Sequence, residues 1–201
     1  MANCADVCAT LVNDFLYDCN NKSTGGIEQV VKLVNRCDID ISDWDIAVSS
    51  ETACSHQIAY TGEDPTDLNA VKAQGIPGKR LLNAGFNSVD QDYGTYFTHF
   101  VNIFGQGLSE ATLCNIRDLA NGADVVAFVE QKDKGSDGES AFLVYGFDAG
   151  LKLGDITYDS NENNGNTPLP LTTKDDDLEK NPPYVLKMTD YETTKAFFDS
   201  L

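Results

Sequence analysis

Apolar and polar positions alternate in a way that picks out residues 109–151 as the stretch around which the chain is organised. Ser109 can cap a helix, and Leu113, Ile116, Leu119 and Ala120 recur at helical spacing. Asn121-Gly122 supplies residues that tolerate the left-handed backbone of a helix C-terminus. Val125 to Val129 is an apolar run too β-branched for a helix, Lys134 to Gly138 is a turn cluster, and Ala141 to Phe147 is a second apolar run. The pattern predicts a helix docked on a β-hairpin. Both runs are apolar at consecutive positions, so both faces of that hairpin should be covered.

Tyr96 to Phe104 alternates as a strand, with Phe97, His99, Val101 and Ile103 on one face and Tyr96, Phe100 and Phe104 on the other. Ile27 to Val34 fits helical spacing but is β-branched and bounded by Gly25-Gly26, which favours a strand. Residues 38–46 alternate acid with apolar. Ile39, Ile41 and Trp44 would share a face, with a kink at Ser42-Asp43. Ile58 to Tyr60 is a short strand and 61–80 a loop with one helical turn at Asp67 to Ala73. Lys79 to Phe86 reads as another strand.

From Gly154 to Pro183 apolar residues are sparse. Within this stretch Thr167 to Leu171 is extended and belongs at a sheet edge, because of its prolines. Lys174 to Pro183 is a charged turn, and Tyr184 to Met188 a last strand. Asp190 would cap a final helix, Thr193 to Ser200, turning Ala196 and Phe197 inward. The expected fold class is mainly β (α+β): a β-sandwich or half-barrel of antiparallel strands flanked by a helix. The 201 residues form a single domain, with an N-terminal segment 1–26 and an extended polar arm 154–183.

Charge changes this picture. Thirty-two acids against fourteen bases leave a formal charge of −18. Such a surface repels nucleic acid and anionic membranes, whose phosphates call for clustered Lys or Arg. The first residues do not read as a signal peptide, and no stretch approaches the ~20 apolar residues of a membrane helix. The six cysteines, Cys4, Cys8, Cys19, Cys37, Cys54 and Cys114, are then expected as free thiols.

No residue set reads as catalytic, cofactor-binding or metal-binding. Asp38, Asp40, Asp43 and Asp45 lack the glycine and glutamate of a calcium loop, since the sixth and twelfth positions from Asp38 are Asp43 and Ser49. Asp175 to Asp177 reads as a solvated turn. Cys4 and Cys8 have no second pair to complete a zinc site. Cys54-Ser55-His56 lacks an orienting third group, and His99 sits in a strand, so both histidines read as packing residues. Gly146, Gly150 and Gly154 follow a strand but open no helix, unlike a dinucleotide fingerprint.

The order of features carries a resemblance. Cys19 and Gly25-Gly26-Ile27-Glu28 lead to Val34-Asn35-Arg36-Cys37-Asp38-Ile39. Gly85-Phe86, Tyr96 to Val101 and Leu119-Ala120-Asn121-Gly122 follow. Then come Val125-Val126-Ala127, Phe142 with Val144 to Leu151, and Asp190-Tyr191-Glu192-Thr193-Thr194. Over most of its length the chain resembles virion structural proteins of tailed bacteriophages of Bacteroidetes-type hosts, of the kind read as tail tube (major tail) proteins. The resemblance implies no catalytic residue and no cofactor. It implies a homo-oligomer of hexameric rings stacked into a tube, other phage tail or connector proteins as partners, and no membrane. The protein would be made in the host cytoplasm and reside in the virion tail.

A head-to-tail interface that closes by rotation makes such a ring. Duplex DNA carries one negative charge per ~1.7 Å, so an acidic wall would let it pass without specific binding. On this reading the segment 1–26 and the arm 154–183 reach neighbouring subunits, and removing 159–181 would leave a folded protomer that no longer polymerises. The other readings are a head–tail connector ring or capsid decoration protein, and a cytoplasmic binding module or hydrolase. A pocket joining Cys54, His56 and an acid would favour the last.

Overall fold

The computed structural model describes residues 24–47, 56–76, 79, 81–92, 94–135, 138–162 and 165–201. The N-terminal segment up to Ser23, with Cys4, Cys8 and Cys19, lies outside the described residues, as does Cys54. Among the described residues, eleven strands and two α-helices follow in order: β1 (Ile27–Asn35), β2 (Trp44–Ala47), β3 (Gln57–Tyr60), β4 (Val71–Gln74), β5 (Asn83–Gln91), β6 (Gly94–Gln106), α1 (Glu110–Ala120), β7 (Val125–Gln131), β8 (Phe142–Tyr145), β9 (Lys152–Leu153), β10 (Asn166–Thr172), β11 (Tyr184–Leu186) and α2 (Tyr191–Ser200). The strands form a seven-stranded sheet, β2-β3-β11-β8-β7-β1-β4, and a four-stranded sheet, β5-β6-β10-β9. All pairings are antiparallel except β11 with β3. The protein is a mainly β, α+β sandwich.

The period of two along β7 builds two cores. Val126 and Phe128 face a cluster with Trp44, Phe147, Phe197 and Phe198, closed by α2. Val125, Ala127 and Val129 face the second sheet, where they meet Val101, Ile103, Leu169 and Leu171. Both faces of the β7–β8 hairpin are therefore covered, by α2 on one side and by the second sheet on the other. α1 begins at the Ser109 cap, whose side chain accepts from Thr112 N, but buries no residue. Ile116 and Leu119 rest half-buried on the second core, and Leu113 stays 49% exposed. α2 is tied to β7 by buried Glu130, which accepts from Tyr191 Oη and pairs with Lys134 Nζ at 2.8 Å and Lys195 Nζ at 3.2 Å. Burial pushes the Glu130 carboxyl up, but the hydrogen bonds from Lys134, Tyr191 and Lys195 outweigh it and hold it below its ordinary value.

Several elements differ from the expectations above, each for a local reason. The kink at Ser42-Asp43 is a 3₁₀ turn, Ile41–Asp43, capped by the Asp40 side chain. It swings Ile41 out to 54% exposure while Ile39 and Trp44 stay buried. No helical turn forms at 67–73. Pro65–Leu68 is the 3₁₀ turn, started by the Asp64 cap and ended by Asn69 in the left-handed conformation, and β4 follows at once. β5 begins at Asn83 rather than Lys79. In α2 the inward residues are Thr194, Phe197 and Phe198; Ala196 is exposed.

The stretch 154–183 is not a free arm. β10 pairs with β6 over seven residues, Asn166↔Gln106 to Thr172↔Phe100. It is not the sheet edge either, because β9 pairs with Leu171 and Thr172. The prolines fit nonetheless. Thr173 N donates to His99 O, so alternate residues back from Thr173 present their amides to β6, and Pro168 and Pro170 fall on the other set. Gly154 N reaches Pro170 O from the β9 side. Leu169, Leu171, Tyr184 and Leu186 are spent inside this protomer's own cores.

Candidate functional site

Among the described residues two features stand out: an edge of the second sheet that no other strand pairs with, and a buried polar clasp beneath it. β5 pairs with β6 along its whole length, from Asn83↔Asn102 to Gln91↔Gly94, and ends the sheet on its other side. Most of its side chains are exposed. Phe86 lies on the core-facing side, opposite His99 in register, yet remains 48% exposed. Its ring stands 6.0 Å from Phe97 and 6.4 Å from His99. A strand edge of this length exposes a row of unpaired backbone groups, which proteins normally blunt or cover.

The clasp fastens residues 173–183. His99 is 1% exposed. Its Nδ1 accepts from Gly146 N at 3.1 Å and its Nε2 faces Asn181 O at 3.0 Å. A carbonyl can only accept, so Nε2 carries the proton and the ring is neutral. Gly146 holds φ at +73°, and a Cβ there would come within 2.6 Å of the Leu151 side chain, so this turn requires glycine. His56 Nε2 faces the next carbonyl, Pro182 O, at 2.7 Å, with its ring stacked on Tyr184 at 4.6 Å. Glu179 is fully buried and accepts from Asp148 N at 3.1 Å and Ala149 N at 2.9 Å. Its backbone exchanges both hydrogen bonds with Phe97. Asn181 Nδ2 donates to Tyr184 Oη, which donates to Asp148 Oδ2 at 3.4 Å. Both histidines thus hold consecutive carbonyls of one strap. The ring nitrogens of His99 and the carboxylate oxygens of Glu179 are taken by this clasp.

The two buried groups titrate in opposite senses. Burial pushes His99 down to about 4, against the bond to Asn181 and helped by the nearby His56. Burial pushes Glu179 up to about 7, against the amide of Ala149 and helped by the Asp148 charge, with the Asp148 amide and Arg36 opposing. His99, depressed from its ordinary 6.5, contributes stability present above that value and lost as pH falls toward 4. Glu179, raised from 4.5, contributes stability present below that value and lost as pH rises through about 7. The contributions offset each other in the wild type. Glu179→Gln should leave the His99 dependence alone, a loss of about 2–3 kcal/mol between pH 7 and pH 4. His99→Gln should show the converse fall from pH 5 to pH 8. Urea melts across pH check this, and variant profiles parallel to the wild type would refute it.

The residues weighed from the sequence are placed as follows. Asp38 accepts from Asn35 Nδ2, and Asp40 accepts from Ser42 N and Oγ, bonds that hold its carboxyl below the ordinary range. Among the described residues no group of three or more His, Cys, Asp or Glu could hold a metal ion. Asp175 to Asp177 forms an exposed turn closed by Asp177 N on Lys174 O. Gly146 and Gly150 shape the β8–β9 connection and Gly154 follows β9, its amide on Pro170 O; none of them opens a helix. Cys37 is exposed and Cys114 half-buried, both free. His56 turns to the strap. Nothing in the sequence marks Glu179 or Asn181 as part of a clasp. A carboxylate held by amides about 30 positions away in the chain leaves no local signal.

Among the described residues no helix is long and apolar enough to cross a membrane. Comparison with known proteins returns no family model, no curated protein and no solved structure that matches the chain.

Proposed function

We propose that the protein is a structural virion subunit that assembles into closed rings, six-fold by the resemblance, stacked as a phage tail tube. The observation that carries this reading is the edge of β5, nine residues long, unpaired among the described residues, exposed and bearing a half-exposed Phe86. An edge of that kind is an aggregation hazard in a monomer and loses the hazard when a neighbour pairs with it. Two further features support it. The sandwich with a flanking helix is the fold that the resemblance implies. The −18 balance suits a conduit through which duplex DNA slides without adhering.

Negative-stain microscopy of the purified protein, with sedimentation at rising concentration, is the test. Salt should be raised as well, since it screens the self-repulsion of so acidic a chain. Stacked rings of uniform width are the expected image. Single rings that never stack would favour a head–tail connector. A protein that stays monomeric at high concentration and high salt would overturn the tube and favour a decoration or binding role.

A further inference from the structure

Bases are distributed unevenly along this chain. Between Cys37 and Ile116 the only Lys and Arg are Lys72, Lys79 and Arg80, against eleven acids. Lys72 lies on β4, the outermost strand of the seven-stranded sheet, and Lys79 follows that strand; both are exposed. Neither makes an ion pair among the described residues. Lys72 instead sits directly opposite Lys32 of β1 in register. Like charges across a strand pair are unfavourable. Lys32 is itself buried, and burial together with the Lys72 charge lowers its pKa. Lys32 is held by the Leu201 carbonyl, while Lys72 and Lys79 stand exposed at the β4 edge with no ion pair among the described residues.

The same edge opens on an apolar floor. A cleft of about 310 Å³ runs between β4, the end of β6 and α1, floored by Leu33, Ile103, Phe104 and Leu169, with Val71 49% exposed at its rim. One β4 carbonyl, Gln74 O, is already met by Gln106 Nε2. The β5–β6 hairpin has the opposite character. Residues 81–116 contain no Lys or Arg, and the hairpin end bears Asp90 and Asp92, both exposed, beside the backbone edge of β5.

We infer that the subunit interface is heterologous, with the β5 edge and acidic hairpin end of one copy seated against the β4 edge and its lysines on the next. This rests on the assembly reading above and names the surfaces it uses. Strand addition would join the four-stranded sheet of one copy to the seven-stranded sheet of its neighbour. Asp90 and Asp92, at the exposed hairpin end, would neutralise Lys72 and Lys79. Two different patches meet, so the contact propagates from copy to copy and closes when the rotation permits. Charge complementarity of this kind fixes which edges meet, in a chain whose net charge otherwise drives copies apart.

Four proteins test this by sedimentation and microscopy: the wild type, Lys72→Glu with Lys79→Glu, Asp90→Lys with Asp92→Lys, and the chain carrying all four changes. Each double reversal should lower the assembled fraction about tenfold, and the combined chain, in which the charges face each other again, should recover it. Double reversals that assemble like the wild type, or a combined chain no better than either, would overturn the interface. Should a reversal fail to fold, Lys72→Gln with Lys79→Gln gives the same readout. A wild type that never assembles removes the ring reading itself. A wild type that assembles and ignores both reversals removes only this pairing.

Discussion

A chain lacking residues 159–181 will not fold. The excision removes β10, and with it every register partner that β6 has on that side. It removes Leu169 and Leu171, 5% and 0% exposed, from the core between the sheets. A buried Leu→Ala change costs about 2–5 kcal/mol, so these two residues alone approach the 5–15 kcal/mol that a domain of this size commands. β9 loses its strand partner β10, and Glu179 leaves Phe97, Asp148 and Ala149 with unmet backbone groups. Far-UV circular dichroism and a urea melt read the outcome. A cooperative transition at the wild-type midpoint would show that β10 is dispensable. This expectation reverses the one drawn from composition, in which the same excision spares the protomer and stops only its assembly.

That reversal shows where local pattern stops being informative. β6, β7 and the β7–β8 hairpin were legible because each carries its burial in its own alternation: Val101 and Ile103 on one face of β6, and both faces of β7 in turn. α1 was legible from Ser109 and Asn121-Gly122, which act through bonds to near neighbours. β10 was legible as an extended strand, Thr167 to Leu171, but not in its place inside the sheet, because its apolar residues are only two leucines set between prolines. Its place depends on a partner about 65 residues earlier, a distance over which sequence pattern says nothing. The turn at 61–70 failed for a related reason. Asp64 and Pro65 start a 3₁₀ turn, but the strand that follows exists because β1 is there to pair with it. The clasp was the least legible. His99 is a packing histidine, but its partners are the backbone N–H of Gly146 and the carbonyl of Asn181, main-chain groups far along the chain that leave no side-chain signal of the contact. On the β5 edge, Phe86 stands on a core-facing position and still meets solvent. Alternation alone would have buried it.

Replacing Phe128 by Ala should cost about 3–5 kcal/mol of stability. Phe128 is fully buried at the centre of the seven-stranded sheet, paired in register with Lys32 on β1 and Val144 on β8. Its ring stacks on Trp44 with centroids 5.8 Å apart, and Trp44 in turn meets Tyr60, Phe147 and Phe197 edge-on or nearly so. Removing the ring opens a cavity walled by other aromatic rings. Large rigid groups collapse into such a space poorly, which places the cost toward the upper end of the range. Strand neighbours on both sides hold β7 in place, so the backbone cannot close the gap by shifting. Trp44 is the only tryptophan in the chain, so its fluorescence in a urea titration reports on this core directly. Leu113→Ala is the matched control: it removes a comparable apolar group from the exposed face of α1 and should change stability by no more than about 0.5 kcal/mol. A loss under 1 kcal/mol at Phe128 would mean that β7 does not run through the middle of the core, and the two-layer arrangement would have to be redrawn.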